Sequence, residues 1–297
     1  MSSLRSAVYV APQIPFQVPG PGGKTGLWSP ISCTLIYTAH EAVLVDAPIT
    51  IHQTRNLITW IEKIAPNRTL KYIYITHGHG DHFFGVPVLL ERFPDAVPVA
   101  TPAVIRHMAQ QVEEPAFSTT WTSRFPNGQI YEPQRPAVFT SPLPAHNTLL
   151  LDDGGRHELR AVEVGHSDTY DSTILWVPDL RLAVCGDVVY GQVHQMLFEA
   201  NTRQKRQEWI AAIEKVEALR PAHVVAGHKQ AEEVDGVWHL AATKKYIEDF
   251  GKVLAGEPRD AKELFKEMSR LYPDRLNPGA LILSCTGAFL VSKEARL

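Results

Sequence analysis

Short apolar runs recur along the chain, and polar or helix-forming segments separate them. Gly, Pro, Asp or Asn bound many of the runs, and Val, Ile, Leu and Tyr dominate them, which is typical of buried β-strands. We predict strands at residues 7–10, 33–37, 42–46, 70–75, 97–100, 148–151, 157–164, 172–177, 181–185 and 222–226.

Longer segments place apolar residues at helical spacing. Residues 50–65 are an example, with Leu57, Ile58 and Ile61 on one face and Pro66 as the stop. We predict helices at residues 50–65, 85–92, 102–113, 203–219, 237–254, 261–271 and 278–290. Residues 19–23, rich in Gly and Pro, predict a loop, and residues 152–155 predict a hairpin turn.

Residues 114–145 have a different character from the rest of the chain. They contain several prolines and aromatic residues without a regular period, so we predict an irregular insertion. Because the aromatic content argues against disorder, the insertion is a candidate lid, with Trp121 as a candidate substrate wall. We expect one domain over residues 1–297, with residues 237–297 as a helical C-terminal extension.

Composition limits the classes of function. The chain has 297 residues, 44% hydrophobic content and a formal charge of −3, which predict a globular protein without a basic surface for nucleic acid. A small-molecule substrate fits better. No segment approaches the roughly 18 apolar residues of a membrane span, so we expect a cytoplasmic location without membrane contact. The three cysteines predict buried free thiols, and oligomeric state is not indicated.

The strongest chemical signal directly follows the predicted strand at residues 70–75. His77, His79, Asp81 and His82 lie within six residues of one another, where a strand passes its last side chains to a loop. Without a metal, several neutral imidazoles would be packed together at a desolvation cost. We therefore predict a metal site here.

Three later residues share one local context. His166, Asp187 and His228 each follow a predicted strand, one residue beyond a glycine. If these strands belong to one pair of packed sheets, all the side chains converge at one edge with the cluster. The combined set would be sufficient for two metal ions.

This pattern resembles the metallo-β-lactamase superfamily, whose HxHxDH motif is matched by His77, His79, Asp81 and His82. The resemblance implies an α/β fold of the αββα sandwich type, with the C-terminal helices added to it. It also implies one metal held by His77, His79 and His166, a second held by Asp81, His82 and His228, and Asp187 as the bridge.

The ligand types indicate which metal to expect. Imidazole and carboxylate ligands without a thiolate favour two Zn²⁺ ions, with Fe or Mn as alternatives. Strand alternation points Cys185 in the same direction as Asp187, but we favour burial for this thiol because Asp187 already supplies the bridge. Asp46, at the end of an early strand, matches the acidic residue that supports the metal loop in this fold.

The resemblance also implies a hydrolytic mechanism. A hydroxide that bridges two metal ions would attack a carbonyl, and Asp81 would orient it and transfer its proton to the leaving group. Tyr190 and His194 follow Asp187 closely enough to be candidate hydrogen-bond donors. Phe83 and Phe84 directly follow the cluster, and we expect them to narrow the substrate site in favour of a compact or aromatic metabolite.

Three functions are compatible with these residues. We prefer a lactonase or lactamase that opens a cyclic ester or amide of a small metabolite. The alternatives are a thioesterase for an acyl-glutathione or acyl-carrier substrate, and an iron-dependent persulfide dioxygenase on the same scaffold.

Overall fold

The computed structural model describes residues 4–18, 23–152 and 156–297. Most of the predicted loop at 19–23 and of the predicted turn at 152–155 therefore lies outside the described residues. The strands are β1 (Arg5–Ala11), β2 (Ile14–Gln17), β3 (Thr25–Trp28), β4 (Ile31–Tyr37), β5 (Glu41–Val45), β6 (Thr69–Tyr74), β7 (Val97–Ala100), β8 (Ser141–Pro142), β9 (Thr148–Leu151), β10 (His157–Gly165), β11 (Ser172–Val177), β12 (Leu182–Val184) and β13 (His223–Val225).

The longer helices follow the predicted positions closely, and two short helices, at residues 136–139 in the insertion and 293–296 after the last predicted helix, are additional. They are α1 (Ile51–Ile64), α2 (Val86–Arg92), α3 (Pro102–Gln111), α4 (Pro136–Phe139), α5 (Arg203–Ala218), α6 (Trp238–Ala255), α7 (Ala261–Leu271), α8 (Pro278–Ala288) and α9 (Lys293–Arg296). Among the described helices, none combines the length and the apolar content needed to cross a membrane.

Two packed sheets form the centre of the molecule. One has the strand order β1-β4-β5-β6-β7-β8, and the other has the order β13-β12-β11-β10-β9. Within them, β5 runs parallel to β6, and β12 runs parallel to β13. The carboxyl ends of neighbouring parallel strands meet at one edge, which brings together the loops that follow them.

Side-chain alternation along the strands separates the layers. On β5, Val43 and Val45 pack between the two sheets, whereas Leu44 packs outward against the helices that cover the first sheet. Trp209 of α5 and Phe250 of α6 cover the outer face of the second sheet. The order helix, sheet, sheet, helix confirms the predicted αββα sandwich.

A capping sequence sets the residue at which α1 begins. Thr50 is the N-cap, its side chain accepts from the Gln53 backbone N–H, and Gln53 completes a reciprocal capping box. The capping box thereby satisfies two backbone N–H donors at this helix end. The same cap places α1 directly after the loop that follows β5.

The insertion is ordered by aromatic packing against the β2–β3 hairpin. Trp28 of the hairpin lies 5.6 Å from Trp121 and 5.5 Å from Phe125, measured between ring centroids. The Gln17 backbone N–H donates to the Arg124 carbonyl at 2.9 Å. We call this layer, formed by β2, β3 and residues 117–125, the aromatic roof.

Phe83 and Phe84 do not face the substrate site. Both side chains are fully buried in the core beneath the first sheet's helices, and Phe84 packs on Trp121 at 4.9 Å. A short 3-10 turn at Gly80–His82 reverses the chain and turns the next two side chains into the core. Their predicted effect on substrate size is therefore not supported by their positions.

This placement predicts a stability effect for Phe84. Phe84→Ala should lower the free energy of unfolding by about 3–5 kcal/mol. The reason is that it removes a fully buried ring between the loop at residues 77–82 and the aromatic roof. Denaturant unfolding of the purified protein measures this change. Val138→Ala is the control, since Val138 is 80% exposed on the same insertion, and an equal loss in both variants would contradict the placement.

Candidate metal centre

The predicted ligands lie where the strands of both sheets end. His77 belongs to the loop after β6, Asp187 to the turn after β12, and His228 to the loop after β13. The Gly227 backbone carbonyl accepts from the Ser32 N–H at 2.8 Å, which ties the β13 loop to β4 of the other sheet. The two sheets thus meet at one rim.

Donor atoms of this rim form three close groups. Within each group, every residue offers one nitrogen or oxygen atom, and these atoms lie within 4.8 Å of one another. The groups are His77 with His79 and Asp168, His77 with His82 and Asp187, and Asp81 with His82 and His228. His77 and His82 each belong to two groups, so the three sites are continuous.

Asp46 holds the first part of this rim in place. Its carboxylate accepts from the Thr76 backbone N–H and hydroxyl, both at 2.9 Å, and lies 2.9 Å from His82 Nδ1. With Nδ1 of His82 bound to a carboxylate, its Nε2 faces the donor groups, as in metal-binding histidines supported by a second residue. This agrees with the supporting role expected for Asp46.

Two other histidines are oriented through their Nδ1 atoms. His228 Nδ1 lies 2.6 Å from the Pro30 carbonyl oxygen, and His77 Nδ1 lies 3.0 Å from the Thr76 hydroxyl. In both rings Nε2 is left to face the centre. Burial lowers the pKa of His77 well below its usual value, which favours the neutral imidazole that a metal requires.

Asp187 lies between the groups. One carboxylate oxygen is 3.1 Å from His82 Nε2, and the other is 3.1 Å from His228 Nε2 and accepts a short hydrogen bond from the Tyr190 hydroxyl. A Cβ at Gly227 would lie 2.4 Å from Asp187 Oδ1, so only glycine leaves room for this carboxylate. Its shared position with His77 and His82 fits the expected bridging role.

His166 lies outside the three groups, and Asp168 takes the place beside His77 and His79. Asp168 Oδ2 is 3.0 Å from His79 Nδ1 and 3.9 Å from His77 Nε2. The β10 ladder shifts register between Glu163 and Gly165, and Gly165 has a φ of +95°. Because this bulge turns the chain, strand alternation does not set the direction of His166.

Electrostatics around His79 indicate a strongly polar pocket. Burial lowers the pKa of His79, but Asp168 and Glu199 together raise it well above its usual value. Burial raises the pKa of Asp168 to about 6, although His79 opposes this shift. Burial also raises the pKa of Glu199, but its contacts with His79 and Thr169 bring it down to about 2. The contacts with Asp168 and Glu199 thus favour the protonated form of His79 in the absence of a metal ion.

Buried nitrogen and oxygen atoms that make no hydrogen bond indicate whether the residues at this rim suit a metal ion. Such atoms are rare in native proteins, and an ion is one accepted explanation for them. Among the described residues of this rim, the atoms that make no hydrogen bond of regular geometry are His77 Nε2, His82 Nε2, His166 Nε2, Asp168 Oδ2 and Asp187 Oδ1. The two carboxylate oxygens still lie at ion-pair distance from His79 and His82. Imidazole nitrogens and carboxylate oxygens are the ligands of divalent metals such as zinc. The residues present therefore fit a divalent metal ion.

Tyr190 and His194 both line the cavity beside the donor groups. Tyr190 is 2% exposed and uses its hydroxyl to bind Asp187, and burial raises its pKa well above the usual value. His194 Nδ1 is 2.9 Å from the Tyr246 hydroxyl, and burial together with Arg275 lowers the pKa of His194 to about 4. At neutral pH it is a neutral imidazole beside the cavity.

The cavity above the donor groups has a volume of about 390 Å³. The aromatic roof supplies Trp28 and Trp121 to its wall, and α8 supplies Ala280 and Leu283. Asp81, on the floor, accepts a hydrogen bond from the Trp28 indole N–H at 3.0 Å. Trp121 is thus the one predicted substrate residue of the three that reaches the cavity.

Sequence reasoning missed Asp168, Glu199 and Trp28. Asp168 lies two residues after the predicted ligand His166, and this proximity in the chain is the one sequence signal for it. Glu199 and Trp28 come from distant irregular segments, and their contacts with His79 and Asp81 follow only from tertiary packing. Cys185 is fully buried and absent from the donor groups, as expected, and all three cysteines are buried free thiols.

Comparison with known proteins identifies the family. The family model described as the metallo-beta-lactamase superfamily matches residues 26–228. This range includes all the predicted metal ligands, and it leaves out β1, β2 and α6–α9. The chain belongs to the metallo-beta-lactamase superfamily, and its C-terminal helices lie beyond the matched residues.

Solved structures with the same fold are distant in sequence. A metallo-beta-lactamase from Pontibacter korlensis is 16% identical, with a TM-score of 0.54 over 83% of this chain and 99% of that one. The mono-zinc form of the metallo-beta-lactamase FIM-1 from Pseudomonas aeruginosa is 14% identical, with a TM-score of 0.52 over 86% and 93%. At these identities the likeness shows the fold alone.

One curated relative is also similar in sequence. An atrochrysone carboxyl ACP thioesterase from Cryptosporiopsis sp. (strain 8999) is 25% identical over 114 residues. The aligned part is 38% of this chain and 31% of that protein, so the chain spans about a third of the relative's length.

The role of Asp46 can be tested without disturbing the backbone. Asp46 has a φ of +62°, a conformation that Asn also tolerates, so Asp46→Asn should fold normally but weaken metal binding about 10- to 100-fold. Competition with a chromogenic chelator measures the affinity. Asp171→Asn is the matched control, since Asp171 is exposed and has a φ of +56°. Equal affinities in the two variants would contradict the supporting role.

Proposed function

We propose that this protein is a metal-dependent hydrolase that opens a lactone or lactam of a small, largely apolar metabolite. The observation that carries the proposal is the set of buried donor atoms without hydrogen bonds at the floor of an aromatic-walled cavity. A metal pair, with zinc as our first choice, would supply an activated water at neutral pH and polarise the carbonyl.

Six of the predicted ligands support a dinuclear centre by their positions. We propose that His77 and His79 hold one ion, that Asp81, His82 and His228 hold the other, and that Asp187 bridges them. For the remaining position on the first ion, Asp168 is already in contact with His79, and His166 contributes a buried Nε2 without a hydrogen bond. We propose Asp168 for this position in the structure described.

Asp81 is our candidate for proton transfer. It lines the cavity, and the Trp28 indole N–H and His228 hold its Oδ2 from two sides at 3.0 and 3.7 Å. A carboxylate held in this way can take a proton from an attacking water and deliver it to the leaving oxygen or nitrogen. Trp28 excludes water from the same side of the carboxylate.

Tyr190 and His194 have different roles in this proposal. The Tyr190 hydroxyl donates to Asp187, so we assign it to positioning this carboxylate. His194 is a neutral imidazole at the cavity wall, with Nδ1 occupied by Tyr246. If Nδ1 accepts a hydrogen bond from the Tyr246 hydroxyl, the single ring proton of neutral His194 is on Nε2. In that tautomer His194 can donate into the cavity, and we propose it as the donor to the leaving group.

The cavity supports a small substrate. A volume of about 390 Å³ lies near the lower end of the usual range for small-molecule sites. Most of its walls are apolar, and Trp28 and Trp121 offer faces on which a planar ring can stack. A compact lactone or lactam fits this space with its carbonyl directed at the floor.

A thioesterase is the second candidate, and the partial similarity to an acyl-carrier-protein thioesterase favours it. The same residues would act on a thioester carbonyl, since only the leaving group differs. A panel of lactones, lactams and thioesters assayed with one metal-loaded preparation separates the two. Turnover of thioesters alone would refute the lactone and lactam proposal.

Metal removal is the first test of the mechanism. Dialysis against a chelator should abolish hydrolysis, and added Zn²⁺ should restore it, because in this proposal the metal pair lowers the pKa of the attacking water and polarises the carbonyl. Metal quantification before and after dialysis accompanies the assay. Full activity without metal would refute the proposal, and bound iron with oxygen consumption would point to the persulfide dioxygenase alternative.

Asp81→Asn tests the proton transfer. We expect turnover to fall about 100-fold or more, because the amide cannot accept a proton. The comparison is made at equal metal content, and Asp95→Asn, at an exposed position, is the control. Near-normal turnover in a metal-replete variant would remove Asp81 from the mechanism.

A further inference from the structure

A second cavity continues outward from the one above the donor groups. Its volume is about 150 Å³, and the aromatic roof and α8 line it with Phe16, Gly279, Ile282 and Leu283. The two cavities share lining residues, so they form one cleft with an inner and an outer compartment. The shared residues are Trp28, Arg124, Met196, Asn277, Ala280 and Leu283.

Arg124 is the one arginine or lysine among the described residues that line this cleft. Within the described part of the chain, no carboxylate lies within 4.0 Å of its guanidinium, and burial lowers its pKa without an acidic partner to oppose the shift. Half-burying a cation costs solvation free energy that a counter-ion normally offsets. Arg124 is therefore a half-buried cation with no carboxylate in direct contact among the described residues.

The guanidinium is held in place but keeps donors unused. Nη1 donates to the carbonyls of Thr120 and Thr119 at 2.5 and 3.3 Å. Neither Nε nor Nη2 makes a hydrogen bond within the described residues. A guanidinium has five N–H groups in a rigid fork, and a carboxylate or phosphate matches that fork.

We propose that Arg124 binds an oxyanion of the substrate, a carboxylate or a phosphate, at the junction of the two compartments. The apolar part of the same substrate occupies the outer compartment, and its carbonyl reaches the donor groups in the inner one. This inference rests on the proposed function, because it assumes that the substrate enters the cavity above the metal centre. It narrows the substrate class to amphipathic anions.

A purely structural role for Arg124 makes a different prediction. If the side chain only closes the helical turn at Thr119 and Thr120, its loss disturbs the roof and weakens neutral and anionic ligands alike. If it binds an oxyanion, its loss weakens the anionic ligands selectively. The selectivity of the effect, rather than its size, therefore separates the two roles.

Calorimetric titration of the metal-loaded protein with 4-phenylbutyrate, 4-phenylbutyl phosphate and 4-phenylbutyramide provides the measurement. Arg124→Met should weaken at least one anion about tenfold or more and leave the amide within about threefold. Arg124→Lys should retain part of the difference, because it keeps the charge and loses the fork. Arg135→Met, an exposed arginine of the same insertion, is the control and should bind all three ligands normally.

The outcomes separate the sources of the oxyanion and the two proposals. If Arg124→Met binds 4-phenylbutyrate more weakly, the substrate carries a carboxylate. If only the affinity for 4-phenylbutyl phosphate falls, the substrate is attached to a phosphorylated carrier. Equal losses for the amide and the anions, or no loss in any, would overturn the role of Arg124. Binding does not require turnover, so selective loss in a protein that hydrolyses nothing in the panel would retain this inference and reject the proposed function.

Discussion

The position of the candidate metal ligands at the rim, where the strands of both sheets end, depends above all on the Asp46 carboxylate. Its oxygens hold the Thr76 backbone and hydroxyl and the His82 ring, and so connect the ends of β5 and β6 with the turn that carries Asp81. Asp46 itself adopts a φ of +62°, which costs backbone free energy in any residue but Gly, and least in Asn and Asp. The hydrogen bonds around it offset that cost and fix which nitrogen of His82 faces the centre.

Local sequence patterns were sufficient for most strands and helices and for the residues that directly follow strands at the rim, because these patterns depend on near neighbours. The sandwich of layers and the division of the ligands between two ions came from the resemblance to a known family. The direction of a side chain beyond a bulge or a 3-10 turn depends on the turn itself. For this reason His166 lies outside the donor groups, and the side chains of Phe83 and Phe84 lie in the core, in contrast to the predictions for them.

Contacts between distant segments could not be predicted from a single sequence. Trp28 reaches Asp81 from a hairpin, and Glu199 reaches His79 from an irregular segment, with no periodic signal in either case. The insertion lacks a regular period because its helical and strand segments are short and rings packed against the hairpin order much of it. Aromatic content indicated order in this segment, but the partner surface was needed to show its form.

The charges of the cleft constrain how a substrate can be oriented. Asp81, Asp168, Asp187 and Glu199 place four carboxylates around the inner compartment, whereas Arg124 lies where the outer one begins. An anionic group that approached the floor would be repelled by any carboxylate left uncompensated there, and it would be attracted at the junction. In the proposed enzyme, a divalent metal held by these carboxylates would remove much of the repulsion and would add an attraction for a carbonyl oxygen. The two ends of an amphipathic anion would then have separate positions, and its carbonyl would be held against the centre in one orientation.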